Sequence, residues 1–522
     1  MKPSNSREHW SSRVGIILAV AGSAVGLGNF LRFPAKAVEN GGGAFMIPYL
    51  IALVFLGIPL MWMEWTLGRY GGNNDCGTPT TLFHHISRRK WVRWIGVLGI
   101  LGPLLIFSYY AYIESWTLAY SFFSLFGKLK SIDSNTSMQS FLSGYQGLEN
   151  NEFFQGIHCA YLFFLVTFSV NIWVLYKGIR GGIEKLCNIA MPLLFLCAVV
   201  LFIRILTLGI FQSPQFDWSL SDGFGFFWNP RFDSLKSAKV WLEAAGQIFF
   251  TLSVGTGAVF TYASYLSKKQ DVALSGLTAV STNAAAEVIL GGSILIPAAF
   301  IFFGPQEIQT IVSSGIFNLS FVTMPLVLNH LPLPELMGFV WFFLLFLAGV
   351  TSSVSLSQPF ITFLEDEFNW TRKKSVLVFA ALTFALCQPA IFFLKNGAVD
   401  ELDFWGGSFC LVVFATVEAI LFGWVFGIDR AWEELHQGAD LNIPKFYKFI
   451  MKYITPAFLL FILGMWLWQE WIPNILFKNV SAENRWYVIG VRVGILLLFL
   501  TLVFLDKLSK KQQKNTVIKP WN

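Results

Sequence analysis

The chain has 522 residues, of which 55% are hydrophobic and 13% charged, with a net charge of +6 and a mean hydropathy of +0.59. Soluble domains carry about 25% charged residues, and half of that share cannot cover the surface of a water-soluble protein of this size. The composition therefore excludes a soluble enzyme, a nucleic-acid-binding protein and a disordered scaffold, and it predicts an all-α integral membrane protein.

Twelve apolar stretches are long enough to span a membrane, because a hydrocarbon core of about 30 Å needs roughly 20 helical residues. They lie near residues 12–37, 42–69, 94–125, 158–177, 187–210, 240–265, 274–303, 337–363, 375–394, 404–428, 450–471 and 486–506. Basic clusters lie in alternate connections, which predicts a multi-pass protein of the cell (inner) membrane with both termini in the cytoplasm. The polar N-terminus has no cleavable signal pattern, so we expect the first span to remain in the mature protein.

The cysteines do not form a C-x-x-C pair, and most lie in or beside apolar spans. They are Cys76, Cys159, Cys187, Cys197, Cys387 and Cys410. We expect inert thiols rather than a disulfide framework or a metal site. The same expectation covers Cys76 with His84 and His85, which fall in a predicted cytosolic loop.

Glycines interrupt two of the predicted spans at corresponding depths. The first span contains AGSAVGLGN (21–29) and the sixth contains TLSVGTGA (251–258). Five crossings separate them, so a five-helix unit repeated at this distance is inverted in the membrane. Glycine also serves close helix packing. The matched pair favours the alternative, a transporter's binding site near the middle of the membrane.

Unwound helix segments at these breaks leave backbone carbonyls that need partners. Neutral hydroxyl and amide side chains accompany them: Asn29, Thr251, Asn283, Thr351 and Ser352. Hard cations prefer oxygen ligands, and the absence of dense carboxylates favours a monovalent ion such as Na⁺. The positive ends of the half-helices suit an anionic substrate group.

Ionisable side chains inside spans cost roughly 2.5–3.5 kcal/mol each and are functional candidates. Arg32 and Asp403 lie at the outer ends of spans 1 and 10, which suggests a charge-paired gate. The alternative is that the two side chains are unrelated and that each extends its charged group to the aqueous interface. Arg7 and Asp366 lie at the inner ends of spans 1 and 8, where the same two interpretations apply. Three acidic side chains also lie within spans: Glu64, Glu114 and Glu287. We expect them to accept hydrogen bonds from freed backbone, with a proton relay as the alternative.

Long motifs follow one another along nearly the whole chain. They are HWSSRVGIILAVAGSAVGLGNFLRFP, NGGGAFMIPY, GIPLMWMEWTLGRYGG, YYAYIESWTL, GQIFFTLSVGTGA, FTYASY, LAGVTSSVS and DFWGG. The chain resembles the neurotransmitter:sodium symporter family, with the closest likeness to the bacterial leucine transporter. The resemblance implies one polytopic domain over 1–522 with twelve helices in the LeuT fold. A first five-helix repeat spans 10–210, an inverted repeat 238–430, and two additional helices 448–508, with helices 1 and 6 discontinuous.

Carried over residue by residue, the resemblance implies two Na⁺ sites. The first consists of Ala24, Asn29, Thr251 and Asn283, completed by the substrate carboxylate. The second consists of the Gly22, Val25 and Ala348 carbonyls with the Thr351 and Ser352 hydroxyls.

The resemblance also implies a substrate pocket between two gates. The pocket consists of Ser23, Ala24, Gly28, Ile106, Tyr110, Phe250, Thr251, Ser253, Thr256, Ser352 and Leu356. Tyr110 is expected to bind the substrate carboxylate, and Phe250 to cover the pocket with it. The outer gate is Arg32 with Asp403. The inner gate is Arg7 with Asp366, together with Trp10, Ser264 and Tyr265.

Four positions refine the expected substrate. Monoamine-carrying relatives have Asp where this chain has Gly26, so here the substrate brings its own carboxylate, as an α-amino acid does. Chloride-dependent relatives have Ser where this chain has Glu287, which predicts independence from chloride. Thr256 replaces the pocket Phe of the leucine transporter and Ser23 its Asn. An unfilled void is costly, so we expect a large side chain (Met, Phe, Tyr or Trp rather than Ala or Gly), with Leu not excluded.

The leading interpretation is Na⁺-coupled symport of a neutral, large hydrophobic or aromatic amino acid into the cell by alternating access. A Na⁺-dependent amino-acid sensor on the same fold is the alternative, although paired gates favour a protein that cycles. The sequence disfavours a membrane-embedded enzyme, because it contains no H-E-x-x-H or G-x-S-x-G motif. The expected partners are the amino acid and the lipid bilayer, without nucleic acid, and the interpretation allows a homodimer.

Overall fold

The structure, a computed structural model, describes residues 10–208, 218–313, 315, 317–478 and 480–514, with side chains up to Ser509. Within these ranges every regular element is a helix. The first nine are α1 (Arg13–Ala24), α2 (Gly28–Glu39), α3 (Gly42–Gly72), α4 (Pro79–Ser87), α5 (Lys90–Leu125), α6 (Asn135–Tyr145), α7 (His158–Tyr176), α8 (Ile179–Leu208) and α9 (Leu220–Trp228). The others are α10 (Ala238–Leu252), α11 (Ala258–Ala263), α12 (Val272–Ser313), α13 (Leu319–Asn329), α14 (Pro334–Phe368), α15 (Arg372–Phe392), α16 (Ala398–Val425), α17 (Ile428–His436), α18 (Phe446–Ile475) and α19 (Arg485–Lys514).

Ten helices in the described residues are long and apolar enough to span a membrane. The pair α1–α2, bent by 43°, makes an eleventh span when counted as one. The sixth predicted span is divided into α10 and α11, whose 15 and 6 residues are each too short to qualify by length. The all-helical membrane fold is thus confirmed, while the count of twelve spans stays a prediction.

The break between α10 and α11 depends on residues that adopt left-handed backbone conformations. Ser253, Gly255 and Gly257 have φ values of 54°, 77° and 74°. A Cβ at Gly255 would lie 2.6 Å from the carbonyl oxygen of Leu411, and one at Gly257 would lie 2.5 Å from a neighbouring backbone oxygen. Only glycine allows both this conformation and this close approach. The sequence therefore specifies where the sixth span unwinds.

The two broken spans lie inside a shell of longer helices. α5 and α14 pack against each other along their length, and α1 and α11 both pack against α14. By contrast, α15, α18 and α19 expose many large apolar side chains, such as Leu497 and Phe504 of α19. These outward faces suit lipid contact. All six cysteines are free thiols, four of them buried.

Candidate functional site

A small cavity lies where the breaks of α1–α2 and α10–α11 meet α5 and α14. The structure brings all eleven predicted pocket residues to its wall, and Gly26 and Leu411 join them. Its free volume is about 30 Å³, which leaves room for no more than a few water molecules. A bound amino acid therefore requires some lining side chains to move.

Side chains satisfy the backbone that the first break frees. The Tyr110 hydroxyl accepts a hydrogen bond from the Leu27 amide at 3.0 Å, and the Asn29 side-chain oxygen accepts one from the Gly26 amide at 2.8 Å. Because these donors are buried, each lost partner costs about 1–3 kcal/mol. The same groups can turn to a ligand only if the ligand offers equivalent hydrogen bonds.

The residues predicted for the first Na⁺ site form one buried amide and hydroxyl cluster. The Asn29 amide nitrogen donates to the Asn283 side-chain oxygen at 2.8 Å, and the Asn283 nitrogen donates to the Thr251 hydroxyl at 3.0 Å. Ala24 is the last residue of α1 and is also buried. The site is rich in neutral oxygen, and this donor set fits a monovalent hard cation.

The residues predicted for the second Na⁺ site lie between α1 and α14. The Thr351 hydroxyl donates to the Ala348 carbonyl at 3.2 Å, and the Ser352 hydroxyl donates to the Gly22 carbonyl at 3.3 Å. A Cβ at Gly22 would lie only 3.1 Å from the Thr351 Cβ, so glycine allows the two helices to approach closely. Val25 follows α1 directly, which places its carbonyl in the break. This set also fits a monovalent cation.

Glu64 supports the second break, as the sequence predicts. Its fully buried carboxylate accepts hydrogen bonds from the Gly255 amide and, at 3.3 Å, from the Phe260 amide. The equally buried Glu418 of α16 interacts with Glu64, and sequence reasoning missed it. The signal was available, because Glu418 is a carboxyl group within an apolar span, as Glu64 is.

The predicted partners of the other two glutamates were wrong. Among the described residues, Glu114 accepts from the Asn171 side chain at 3.2 Å, and Glu287 accepts from the side chains of Tyr49 and Gln247. Within the part of the chain that the structure describes, neither carboxyl group bonds to the freed backbone of a break. Buried carboxyl groups need polar partners wherever they lie, and side chains supply them here.

On the side predicted to face outward, the site opens into a larger cavity of about 540 Å³, to which Arg32 and Asp403 both contribute. Within the described part of the chain they form no ion pair within 4.0 Å. The Arg32 guanidinium lies 4.4 Å from the centre of the Phe250 ring, and Asp403 accepts a hydrogen bond from the Tyr109 hydroxyl at 2.5 Å. The two predicted outer-gate residues thus face one cavity without being joined.

The opposite side, which is predicted to face the cytoplasm and is called the inner side here, is closed by packed aromatic residues. The Trp10 indole donates to the Tyr262 carbonyl at 3.1 Å and meets the Tyr262 ring edge to face. The Tyr265 hydroxyl lies 2.8 Å from the Thr362 hydroxyl. Ser264, which precedes Tyr265 in the sequence, is also buried. Three predicted inner-gate residues therefore lie in closed, buried positions.

Only one member of the ion pair predicted for the inner gate lies among the described residues. Asp366 lies near the inner end of α14, whereas Arg7 lies outside the described residues. Their pairing stays a prediction.

Two polar connections at the inner end were missed by sequence reasoning. Glu184 accepts from the amide and hydroxyl of Ser11 at 3.0 and 2.5 Å. Arg13 forms ion pairs with Asp271 at 3.0 Å and Asp440 at 2.8 Å. Both connections tie the start of α1 to segments more than 170 positions away in the sequence. The first helix is thus fixed at its inner end.

Known proteins resemble the chain over nearly its whole length. The family model described as the sodium:neurotransmitter symporter family matches residues 7–141 and 158–504. A sodium-dependent transporter of Methanocaldococcus jannaschii is 31% identical over 508 residues, covering 96% of this chain and 98% of the relative. The sodium- and chloride-dependent glycine transporter 2 of Xenopus laevis is 25% identical over 572 residues, covering 96% of this chain and 70% of the relative.

A solved structure shares the arrangement of helices. The crystal structure of MhsT in complex with L-phenylalanine matches with a TM-score of 0.75 at 29% identity, covering 88% of this chain and 99% of that chain. Together with the family match, this similarity confirms the resemblance inferred from the motifs. The chain belongs to the sodium:neurotransmitter symporter family, whose members are membrane transporters and not enzymes.

Proposed function

We propose that the protein carries a neutral amino acid with a large hydrophobic or aromatic side chain into the cell, driven by Na⁺ and by alternating access. The observation that carries the proposal is the convergence of all eleven predicted pocket residues on one cavity between two broken helices. The similar MhsT structure holds L-phenylalanine, which supports an amino acid as the substrate.

Two Na⁺ ions are the proposed coupling ions. The Asn29, Thr251 and Asn283 cluster would bind one ion next to the substrate carboxylate. The segment around Thr351 and Gly22 would bind the other between α1 and α14. Neutral oxygens dominate both positions, which favours a monovalent hard cation.

The pocket offers the carboxylate end of an amino acid a suitable environment. Gly26 brings no acidic side chain, and a Cβ there would lie 2.9 Å from the Tyr110 hydroxyl and 2.5 Å from the Ser352 hydroxyl. A substrate carboxylate would take the Tyr110 hydroxyl as its donor. In the proposed cycle Phe250 covers the pocket from the outer cavity.

Alternating access requires the two sides to open in turn. In the proposed cycle Arg32 and Asp403 pair when the outer cavity closes. The contact between Trp10 and Tyr262 separates when the inner side opens, together with the predicted pair of Arg7 and Asp366. The wide outer cavity and the packed inner side support this sequence of events.

Glu287 is proposed to make transport independent of chloride. Its carboxylate lies beside Tyr49 and Gln247 and supplies the negative charge that a chloride ion would bring. The glycine transporter of Xenopus laevis, in contrast, is described as chloride-dependent.

Uptake by purified protein in liposomes with an imposed Na⁺ gradient tests the proposal. We expect labelled phenylalanine or tryptophan to accumulate with Na⁺ outside, and not with K⁺ in its place. Thr351→Ala should weaken Na⁺ and substrate binding together, whereas Thr501→Ala, on the exposed face of α19, should change neither. If no amino acid accumulates with Na⁺, the transport proposal is wrong, and Na⁺-dependent binding without accumulation would favour the sensor.

A further inference from the structure

Leu411 is a pocket residue that comes from α16, a helix to which sequence reasoning assigned only the outer gate. It lines the small central cavity together with Ile106, Thr256 and Leu356, and it is almost fully buried. Its carbonyl oxygen lies against Gly255, where a Cβ would approach to 2.6 Å. Leu411 is therefore fixed directly against the unwound segment that borders the pocket.

The wall next to Leu411 is apolar in character. Thr256 has a hydroxyl group, but that group donates to the Ser253 carbonyl at 2.6 Å and accepts from the Ala258 amide at 3.1 Å. Its hydrogen bonds are thus used within the break, and no free polar group is added to the pocket. Ile106, Leu356 and Leu411 complete a surface that suits a hydrophobic side chain.

The small side chain of Thr256 does not leave an open hollow. The free volume of the cavity is only about 30 Å³, and a well-packed site resists both voids and overfilling. Leu411 borders this space, and it comes from a helix separate from the two broken spans. Its size is therefore well placed to limit the length of a bound side chain.

We infer that Leu411 is a specificity-determining residue that closes the far end of the subsite for the substrate side chain. This inference rests on the proposed amino-acid transport and adds a residue to it. A longer side chain would press on Leu411, and a shorter one would leave a gap in front of it. The ratio of affinities for large and small amino acids should follow the volume of residue 411.

Competition of tryptophan and leucine against labelled substrate measures this ratio in the full-length protein. Removing or adding even one methylene in an apolar pocket changes discrimination by about tenfold or more. We expect Leu411→Ala to raise the tryptophan-to-leucine affinity ratio by about tenfold and Leu411→Phe to lower it by a similar factor. Both variants should keep the Na⁺ dependence of the wild type.

Leu421→Ala is the matched control, because Leu421 is buried in the same helix but packs against Phe83, Val92 and Phe414 and does not line the pocket. It should leave the ratio unchanged. Equal ratios in Leu411→Ala, Leu411→Phe and wild type would overturn the inference, as would an equal shift in the Leu421 control. A wild type that transports no amino acid would instead refute the proposed function, and this inference with it.

Discussion

Glu64 should be the residue that keeps the second break in its working shape. Its carboxylate is the acceptor for two backbone amides, those of Gly255 and Phe260, and all three residues are buried. Glu64→Ala removes the acceptor and leaves two buried N–H groups without it. Each unsatisfied donor costs about 1–3 kcal/mol, so we expect a loss of about 2–6 kcal/mol in the free energy of unfolding.

Glu64→Gln should fall between Ala and the wild type. Its carbonyl oxygen can still accept from one of the two amides, whereas its NH₂ group would face the other donor. One of the two hydrogen bonds is then lost, at about 1–3 kcal/mol. The graded series separates the hydrogen bonds from the mere volume of the side chain.

Thermal unfolding and Na⁺-dependent uptake together test this account. With an unfolding entropy of about 2.1 cal/mol/K per residue, a chain of this length should lose on the order of 2–6 °C in Tm for Ala and less for Gln. The rate of Na⁺-dependent uptake should fall further than the loss of folded protein alone explains, because the break carries the pocket residues Ser253 and Thr256. Glu335→Ala serves as a control, since Glu335 forms an exposed pair with Lys130 that contributes about 0–1 kcal/mol. An Ala variant that unfolds and transports like the wild type would refute the reasoning.

Two further substitutions test other buried charges. Asp506→Ala removes the carboxylate 2.6 Å from the Arg93 guanidinium, at a site where both side chains are nearly inaccessible, and breaking such a pair costs about 3–5 kcal/mol. Arg93 also lies 3.6 Å from the buried Glu367 carboxylate, so the triple variant Arg93→Met/Asp506→Leu/Glu367→Met, which removes all three charges, should recover most of the lost Tm. A triple variant as unstable as Asp506→Ala would contradict the ion-pair explanation. Glu287→Ser should make uptake depend on chloride, measured by replacing chloride with gluconate; equal uptake in both buffers would contradict the role given to Glu287.

The residues of the central cavity could be named in advance because the resemblance to the neurotransmitter:sodium symporter family implies them position by position. Gly255 and Gly257 mark the unwound segment in the sequence itself, whereas lining residues on other helices, such as Ile106 and Leu356, were implied by the resemblance alone. Leu411 escaped prediction for a physical reason. A leucine in an apolar span has the same sequence pattern whether it faces lipid, packs in the core or borders a ligand pocket.

The inner connections escaped prediction for another reason. Arg13 pairs with Asp271 and Asp440, which lie on the same side of the protein but are separated from Arg13 by several spans along the sequence. Charged residues in loops usually face water, so composition alone indicates no partner. The partners of Glu114 and Glu287 were wrongly predicted because a carboxyl group in an apolar span indicates burial, whereas the sequence does not indicate which side chains on other helices donate hydrogen bonds to it.

The positions of the outer-gate residues suggest how the gate and the pocket cover are coupled. Arg32 stacks on Phe250, and Asp403 is held by Tyr109, the neighbour in sequence of the pocket residue Tyr110. In the proposed cycle, pairing Arg32 with Asp403 would move a cation that lies on the Phe250 ring, and it would loosen the hydrogen bond that Asp403 accepts from Tyr109 of α5. Closure of the proposed gate would thus change the contacts of Phe250 and of α5, the helix that carries Tyr110. A substrate that draws Tyr110 and Phe250 toward itself would thus favour the paired gate, which is the coupling that alternating access requires.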